Sequence, residues 1–383
     1  MDSPFIYSKY VTGRANIGRK DTQTVLANLL DQCENVVMYE PEKSGKESLI
    51  QQTFFNMRIS GRAFISTEIS LMGICSREEL LARLGSAVIR IGGSTPDEYA
   101  SLAHKYLEGS CFVFDPEAFA GTDAILSVRG KAEENDIRAV LGLPYRLAQE
   151  LGQKVYVILA DFQEITRQDG WEFLLKTFEN VLREAPRGLC SYIFTGGSVN
   201  AMKELFEHAV WFHRLINHLQ LNPVEPRDIT DFIVKGFLTG GKVVDRDLCM
   251  GICNLFRCNL WYINHFSAIC DHLSKGYITE ATLMEALGML IAIHEPRFKA
   301  IMADLTNYQL SLLKAVLEGC NRFSSAEVIK RYGLNSSANV RRLKDALCKK
   351  EIITFNEKDE AMVLDPLFEY WAGKYYFDIA RDK

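Results

Sequence analysis

The sequence lacks any apolar run long enough to cross a bilayer. Apolar stretches such as residues 289–293 fall far short of the roughly 20 residues that a transmembrane helix needs. Residues 1–5 also lack the positive segment followed by an apolar segment that marks a secretory signal. We therefore expect no membrane span and a cytoplasmic location.

The sequence also lacks the spacings of a metal site or a nucleophilic triad. Its ten cysteines are scattered singly, and the closest group, Cys249, Cys253 and Cys258, contains no C-x-x-C pair. The seven histidines form no H-E-x-x-H motif, and no G-x-S-x-G elbow occurs. These absences favour reduced cysteines packed as small apolar side chains.

Charge of one sign is not in large excess. The 383 residues include 44 Lys and Arg against 49 Asp and Glu, which leaves a formal net charge of −5, and 48% of them are hydrophobic. At roughly 150 residues per domain, this length predicts two or three packed domains. The whole molecule is not a polycation drawn to nucleic acid, so any basic surface must be local.

Apolar runs alternate with helical patterns through the first two hundred residues. The runs are rich in β-branched and aromatic residues, which is typical of buried strands. They cover residues 35–39, 62–66, 155–159 and 191–194. Between the runs, Ser76 with Glu79 predicts a capping box, and Thr95 before Pro96 predicts another helix start. The alternation predicts an α/β fold with a mostly parallel sheet, helices on both faces, and ligands beyond the carboxyl ends of the strands.

The second half of the chain is different in character. From residue 227 to 293, apolar residues recur at helical spacing without a convincing strand. Thr306 and Ser324 then begin capping-box patterns, and a third helix is expected over residues 337–349. Apolar runs at 352–355 and 361–364 predict a closing hairpin, so the segment has the pattern of a winged helix-turn-helix. The predicted domains are a core over residues 1–222, a helical subdomain over 223–300 and a winged helix over 301–383.

Residues 40–46, which we call the phosphate loop, follow the first strand and precede an amphipathic helix. Strand, loop and helix in this order are the setting of a phosphate-binding loop. Gly45 would let the backbone wrap a phosphate, and Lys46 would reach the β and γ phosphates. The apolar run 155–159 leads to Asp161, where P-loop proteins place a carboxylate beside magnesium. Thr195, at the end of another run, stands where a sensor of the γ-phosphate could lie.

With these elements the chain resembles the bacterial and archaeal STAND-type P-loop ATPases of the AAA+ superfamily. The resemblance covers nearly the whole chain and rests on residues 17–19, 40–49, 161–164, 194–198, 259–263 and 336–340. It implies a P-loop NTPase core, a lid over residues 223–300, and ATP or ADP with magnesium bound between core and lid, where hydrolysis or exchange switches the domain arrangement. The residues it assigns to the nucleotide are Arg19, Glu40, Ser44, Gly45, Lys46, Glu47 and Ser48.

The chain departs from the family's motifs at the positions that serve catalysis. Glu40 holds the first position of the loop motif, and Glu47 replaces the hydroxyl ligand of magnesium, with Ser48 one place late. Aligned on residues 162–163, Ala160 falls on the metal-binding Asp and Asp161 on the catalytic Glu. A shift by one residue makes Asp161 the metal ligand and leaves Phe162 at the catalytic position.

These departures predict a weakened site. A carboxylate about 6 Å from a phosphate charge is repelled by roughly 2–3 kcal/mol at an effective dielectric constant near 20. Glu47 would repel a phosphate in this way, yet its carboxylate is also a suitable magnesium ligand, so both roles stay open. Loss of a metal ligand and of a water-orienting carboxylate affects hydrolysis more than binding, because both act on the transition state.

The third helix of the winged segment is the most basic stretch of the chain. Val340 and its partners at helical spacing would face the core, which leaves Arg341, Arg342 and Lys344 partly outward, where DNA phosphates or base edges could be met. A solvated face, or one that packs on the core or on a protein partner, explains the same charges. Two functions follow: an ATP- or ADP-binding switch with weak or absent hydrolysis, or a nucleotide-independent module that binds DNA or a protein.

Overall fold

The computed structural model describes residues 3–117, 124–209, 211–356 and 358–379. The chain forms two compact units. The sheet unit comprises residues 20–40 and 52–221, and the helical unit comprises the residues up to 19, residues 41–51 and the chain from 222 onward. The three-domain division drawn from the sequence stays a prediction.

A parallel sheet forms the centre of the sheet unit. The strands of this unit are β1 (Asn35–Tyr39), β2 (Phe64–Ser70), β3 (Phe112–Phe114), β4 (Leu126–Val128), β5 (Lys154–Ala160), β6 (Cys190–Gly196) and β7 (Ile216–His218). Within the described residues, five parallel strands lie in the order β2-β5-β6-β1-β7, and β3 pairs with β4 in antiparallel fashion. Fully buried rings of Tyr156, Tyr192 and Phe194 lie on the central strands β5 and β6. The predicted α/β class with a mostly parallel sheet is confirmed.

Strand β2 begins and ends later than the sequence predicts. The prediction covered residues 62–66, whereas the strand runs from Phe64 to Ser70. Every residue of β2 pairs with β5, from Phe64 opposite Lys154 to Ser70 opposite Ala160. The partner strand therefore sets the length of β2, and this brings Ser70 level with the end of β5.

The helices of the sheet unit connect these strands. They are α1 (Lys20–Asp31), α3 (Arg77–Gly92), α4 (Pro96–Leu107), α5 (Glu134–Leu141), α6 (Leu143–Leu151), α7 (Trp171–Glu184) and α8 (Val199–Lys203). The sheet unit also has a 3₁₀ turn at Phe162–Arg167 and a π turn at Glu204–His208. A further 3₁₀ turn, at Gly13–Ala15, belongs to the helical unit. Helix α2 (Lys46–Ile59) has its first residues in the helical unit. The Ser76 hydroxyl caps α3 by accepting from the N–H of Glu79, but the Glu79 carboxylate accepts from Cys75. Thr95 caps α4 with Pro96 at its start, as predicted, and Glu98 completes a capping box there.

The helical unit contains the remaining elements. They are α9 (Pro226–Thr239), β8 (Val243–Val244), α10 (Arg246–Leu255), α11 (Leu260–Leu273), β9 (Tyr277–Ile278), α12 (Glu280–Ala303), α13 (Asn307–Leu317), α14 (Ala326–Tyr332), α15 (Ser337–Lys349), β10 (Ile353–Phe355), β11 (Ala361–Val363), α16 (Pro366–Trp371) and a π turn at Ala372–Tyr376. The parallel pair of β8 and β9 corrects the expectation that residues 227–293 contain no strand. Two-residue strands are too short to leave a periodic signal.

The segment that follows α12 forms the predicted winged helix. Helices α13 to α15 precede the antiparallel hairpin of β10 and β11. Thr306 forms the predicted capping box with Gln309. The next cap is Ser325 and not Ser324, because the hydroxyl of Ser325 accepts from the N–H of Val328. Helix α12 contains Pro296 and continues across residue 300 without a break, so it joins the predicted lid to this segment.

None of the helices in the described ranges has both the length and the apolar character that crossing a membrane requires.

Candidate nucleotide-binding site

The phosphate loop leaves the carboxyl end of β1 and turns tightly into α2. The N–H of Ser44 donates to the carbonyl of Pro41 (3.3 Å), and Gly45 adopts φ +92°, a conformation that residues with a side chain rarely take. Helix α2 begins at Lys46, whose Nζ donates to Pro41 O (3.0 Å) and to Ser44 Oγ (3.4 Å). The ammonium group is therefore held over the turn of the loop.

Arg19 lies against the same turn. Its Nη1 donates to the carbonyl of Ser44 (2.9 Å), and its Nε donates to the carbonyl of Asn222 (3.0 Å). A Cβ atom added to Gly45 would lie 2.9 Å from Arg19 Nη1, so the guanidinium closely covers the glycine. The structure thus brings together the predicted residues Arg19, Ser44, Gly45 and Lys46, two of which carry positive charge.

The remaining predicted residues of the loop have other surroundings. Glu47 is exposed in the first turn of α2. The hydroxyl of Ser48 accepts from the N–H of Val11 (3.2 Å), which ties it to the N-terminal segment. Glu40, at the end of β1, donates its N–H to the carbonyl of Gly196 (3.4 Å). Among the described residues, no group of three or more His, Cys, Asp or Glu side chains is placed to hold a metal ion.

The strand ends of the sheet unit carry Asp161 and Thr195. Asp161 follows β5 with φ +56°, and the hydroxyl of Ser70 donates to its Oδ2 (2.6 Å). Thr195 lies in β6 opposite Met38 of β1 and is buried. Since β2, β5 and β6 are parallel neighbours, Ser70, Asp161 and Thr195 lie towards the same edge of the sheet.

Gln163 is a residue of this edge that the sequence did not single out as a site residue. Its side chain is buried, and among the residues that the structure describes its Oε1 has no hydrogen-bond partner. The same oxygen lies 2.8 Å from the position that a Cβ on Gly196 would take. A buried carbonyl oxygen without a donor is costly, so this atom is suited to accept from a ligand or water. Glutamine one place after the Phe162 ring is the sequence signal that could have indicated it.

Lys43 is the second residue that sequence reasoning missed. It has φ +63°, and its Nζ lies 3.9 Å from the ring centroid of Trp261 and 5.9 Å from that of Tyr262. Burial lowers the pKa of Lys43, and the nearby Arg297 guanidinium lowers it further, against the opposing effect of Asp365. Lys43 occupies a loop position at which the phosphate-binding motif allows any residue. Its side chain is directed to the predicted lid.

The basic helix α15 presents two of its three predicted residues to solvent. Val340, Leu343 and Leu347 are buried as expected, and Arg341 and Arg342 are exposed. Lys344 differs from the expectation.

The hairpin accounts for this difference. Lys344 Nζ lies 2.8 Å from Asp359 Oδ1 and 4.0 Å from the ring centroid of Phe355. Both partners belong to the hairpin segment, so the lysine is used within the winged helix itself. Lys350, at the end of the helix, is paired in the same manner with Asp304.

The C-terminal sequence and the structure of the chain are both similar to those of known proteins. A family model described as "Probable winged helix domain" matches residues 296–374. The structure is similar to that of the Walker-type ATPase PABY2304 of Pyrococcus abyssi, with a TM-score of 0.67 and 15% identity over 96% of this chain and 99% of that chain. It is also similar to the ORC2 protein of Aeropyrum pernix in ADPNP–ADP complexes, with a TM-score of 0.54 and 13% identity over 95% and 93% of the two chains. No curated protein sequence gives a significant match.

At these identities the solved structures establish the fold and leave the ligand open. The strand order, the loop between β1 and α2, and the C-terminal hairpin agree with that fold. The chain therefore has the P-loop, AAA+-like ATPase fold, followed by a C-terminal winged helix domain.

Proposed function

We propose that this protein is a STAND-type switch that binds ATP or ADP weakly at the phosphate loop, hydrolyses ATP slowly or not at all, and uses the winged helix as its output. The fold supports a nucleotide as the ligand, and the residues of the loop support weak binding of it. It places Arg19, Ser44, Gly45 and Lys46 at the phosphates, and it treats the cytoplasm as the place of action.

The position of Lys46 carries the proposal. Its ammonium already donates to the carbonyl of Pro41, a neutral acceptor inside the loop. Phosphate oxygens are negatively charged acceptors, so exchange of the neutral carbonyl for a phosphate adds the attraction between opposite charges. The N-terminus of α2, which begins at this residue, adds the positive end of a helix dipole. Arg19 supplies a second cation at the same turn.

Magnesium has a poorer set of ligands here. When bound, it would neutralise charge on the β and γ phosphates. The sequence offers two separate candidates to hold it: Glu47, exposed at the start of α2, or Asp161, whose carboxylate already accepts from Ser70. Neither reproduces the hydroxyl of the family motif, and Ser48 is engaged by Val11. We infer that the chain keeps part of the binding function and has lost most of the hydrolytic one.

Calorimetric titration with ATP and with ADP, with and without magnesium, tests the proposal. The wild type should bind in the range of micromolar to millimolar dissociation constants, and Lys46→Ala should abolish the heat. Lys275→Ala removes a lysine from an exposed loop and is the matched control, which should bind as the wild type does. No heat from the wild type at millimolar nucleotide would refute the proposal.

Exposure of Arg341 and Arg342 favours a second candidate, a nucleotide-independent module that binds DNA or a protein partner. Double-stranded DNA is the probe. Binding at low salt should weaken in the double variant Arg341→Ala with Arg342→Ala. The slope of log affinity against log salt should become shallower by about 0.9 per lost phosphate contact. Both results would support DNA binding. Lys344→Ala should change the affinity less, because Asp359 already pairs with that lysine. Absence of binding at low salt would refute the DNA form of this candidate.

A further inference from the structure

Lys43 connects the phosphate loop to the predicted lid within the helical unit. Its backbone is left-handed, and its ammonium lies 3.9 Å from the ring centroid of Trp261. Trp261 and Tyr262 form the first turn of α11, where the Asn259 side chain accepts from both of their N–H groups. A cation over the face of an indole ring is an attractive contact, so the loop is fastened to the start of α11.

The contacts continue from α11 to the end of the winged helix. The hydroxyl of Tyr262 is within 2.9 Å of both carboxylate oxygens of Asp365 and donates to that group. Asp365 is also the N-cap of α16, where it accepts from the N–H of Leu367 (3.0 Å) and of Phe368 (3.1 Å). Arg297 of α12 pairs with the same carboxylate. One aspartate thus joins α11, α12 and α16.

We propose that Lys43 is the coupling residue of the switch: phosphate in the loop draws its ammonium from Trp261, and the release loosens the Tyr262–Asp365 contact and the start of α16. This inference rests on the proposed function, since the phosphate is the trigger. It names the path by which occupancy of the loop reaches the winged helix.

The physical reason lies in the competition for one ammonium group. Lys43 is partly buried, and the aromatic face that it contacts is a weaker partner for a cation than a phosphate would be. Lys43 stands two residues before Gly45, inside the turn that a phosphate would occupy. A ligand that binds one arrangement of Lys43 better than the other shifts the equilibrium, and by linkage the winged helix then affects nucleotide affinity in return.

Hydrogen exchange of the full chain without nucleotide tests the coupling itself. Lys43→Met keeps an apolar stem and removes the charge, and we expect exchange at α16 to become at least about twofold faster, with a larger effect in the first turn of α11. Lys43→Arg restores a cation over the ring and should exchange as the wild type does, while Lys275→Met controls for loss of a lysine elsewhere. Unchanged exchange at α16 in Lys43→Met would overturn the coupling.

Addition of ATP or ADP separates the two proposals. Where calorimetry shows binding, exchange at α16 should rise in the wild type and show no further rise in Lys43→Met. If nucleotide binds and α16 of the wild type does not respond, the coupling by Lys43 is overturned and the proposed function stands. If calorimetry shows no binding, the proposed function is refuted, and the phosphate trigger is refuted with it.

Discussion

Replacement of Asp365 by alanine removes one carboxylate on which three helices depend. It caps α16 through the N–H groups of Leu367 and Phe368, accepts from the hydroxyl of Tyr262 and pairs with Arg297. Tyr262 is buried, so after the substitution its hydroxyl would lose its acceptor, while Arg297 would still donate to its oxygen. We expect a loss of stability well above that of an ordinary surface substitution.

The magnitude follows from the separate contacts. Loss of an N-cap costs about 1 kcal/mol, within a range of about 0.5–2. A buried hydroxyl whose hydrogen has no acceptor costs about 1–3 kcal/mol. The pair with Arg297 is partly exposed and contributes less than about 1 kcal/mol. The free energy of unfolding should therefore fall by about 2–4 kcal/mol in Asp365→Ala, and by less in Asp365→Asn, which keeps an oxygen that can accept.

Urea denaturation followed by tryptophan fluorescence measures this change, since Trp261 and Trp371 both belong to the helical unit. Asp359→Ala is the matched control. Its carboxylate is exposed and pairs with Lys344, so the expected loss is below about 1 kcal/mol. A free energy of unfolding for Asp365→Ala within about 0.5 kcal/mol of the wild type would show that the shared carboxylate does not hold these helices together.

Two further predictions concern pH and charge. Burial, with the charges of Lys43 and Arg297 and the neighbouring His265, lowers the pKa of His294 to about 4 against the opposing effect of Asp365. A folded pKa below the unfolded one gives stability that is present above the unfolded pKa of about 6.5 and is lost as the pH falls towards 4. The free energy of unfolding should thus drop by about 1–2 kcal/mol between pH 7 and pH 5. Urea denaturation of His294→Gln should show a smaller drop. Equal drops in the two proteins would contradict the assignment of this pH dependence to His294. Glu47→Ser removes an exposed carboxylate and restores the hydroxyl of the motif. Calorimetry should therefore show the affinity for ATP with magnesium rising by about tenfold. An affinity at or below that of the wild type would mean that Glu47 itself holds the ion.

The sequence predicted those parts of the fold whose signals are local. β1, β5 and β6 are apolar runs between turn formers, and the Thr95 and Thr306 boxes set helix starts by contacts three residues apart. Features set by a distant partner were placed wrongly or missed. The bounds of β2 depend on β5, and β8 is too short to recognise without β9.

The candidate site shows the same division. The order of residues located the phosphate loop, because strand, glycine, lysine and helix follow one another along the chain. It could not give the direction of Lys43, which depends on Trp261 more than two hundred residues later, or that of Lys344, which depends on Asp359 across the hairpin. Charge counted along a helix therefore overestimated the basic surface of α15, since part of that charge is neutralised inside the winged helix.

The unbroken course of α12 has a mechanical consequence. With 24 residues the helix is about 36 Å long, so a tilt of about 10° at one end displaces the other by about 6 Å. Pro296 has no N–H to donate to the carbonyl one turn earlier, so the helix bends most easily there. A small tilt of α12 is thus amplified along its length to several ångströms, and Pro296 is the point at which its ladder of hydrogen bonds is interrupted.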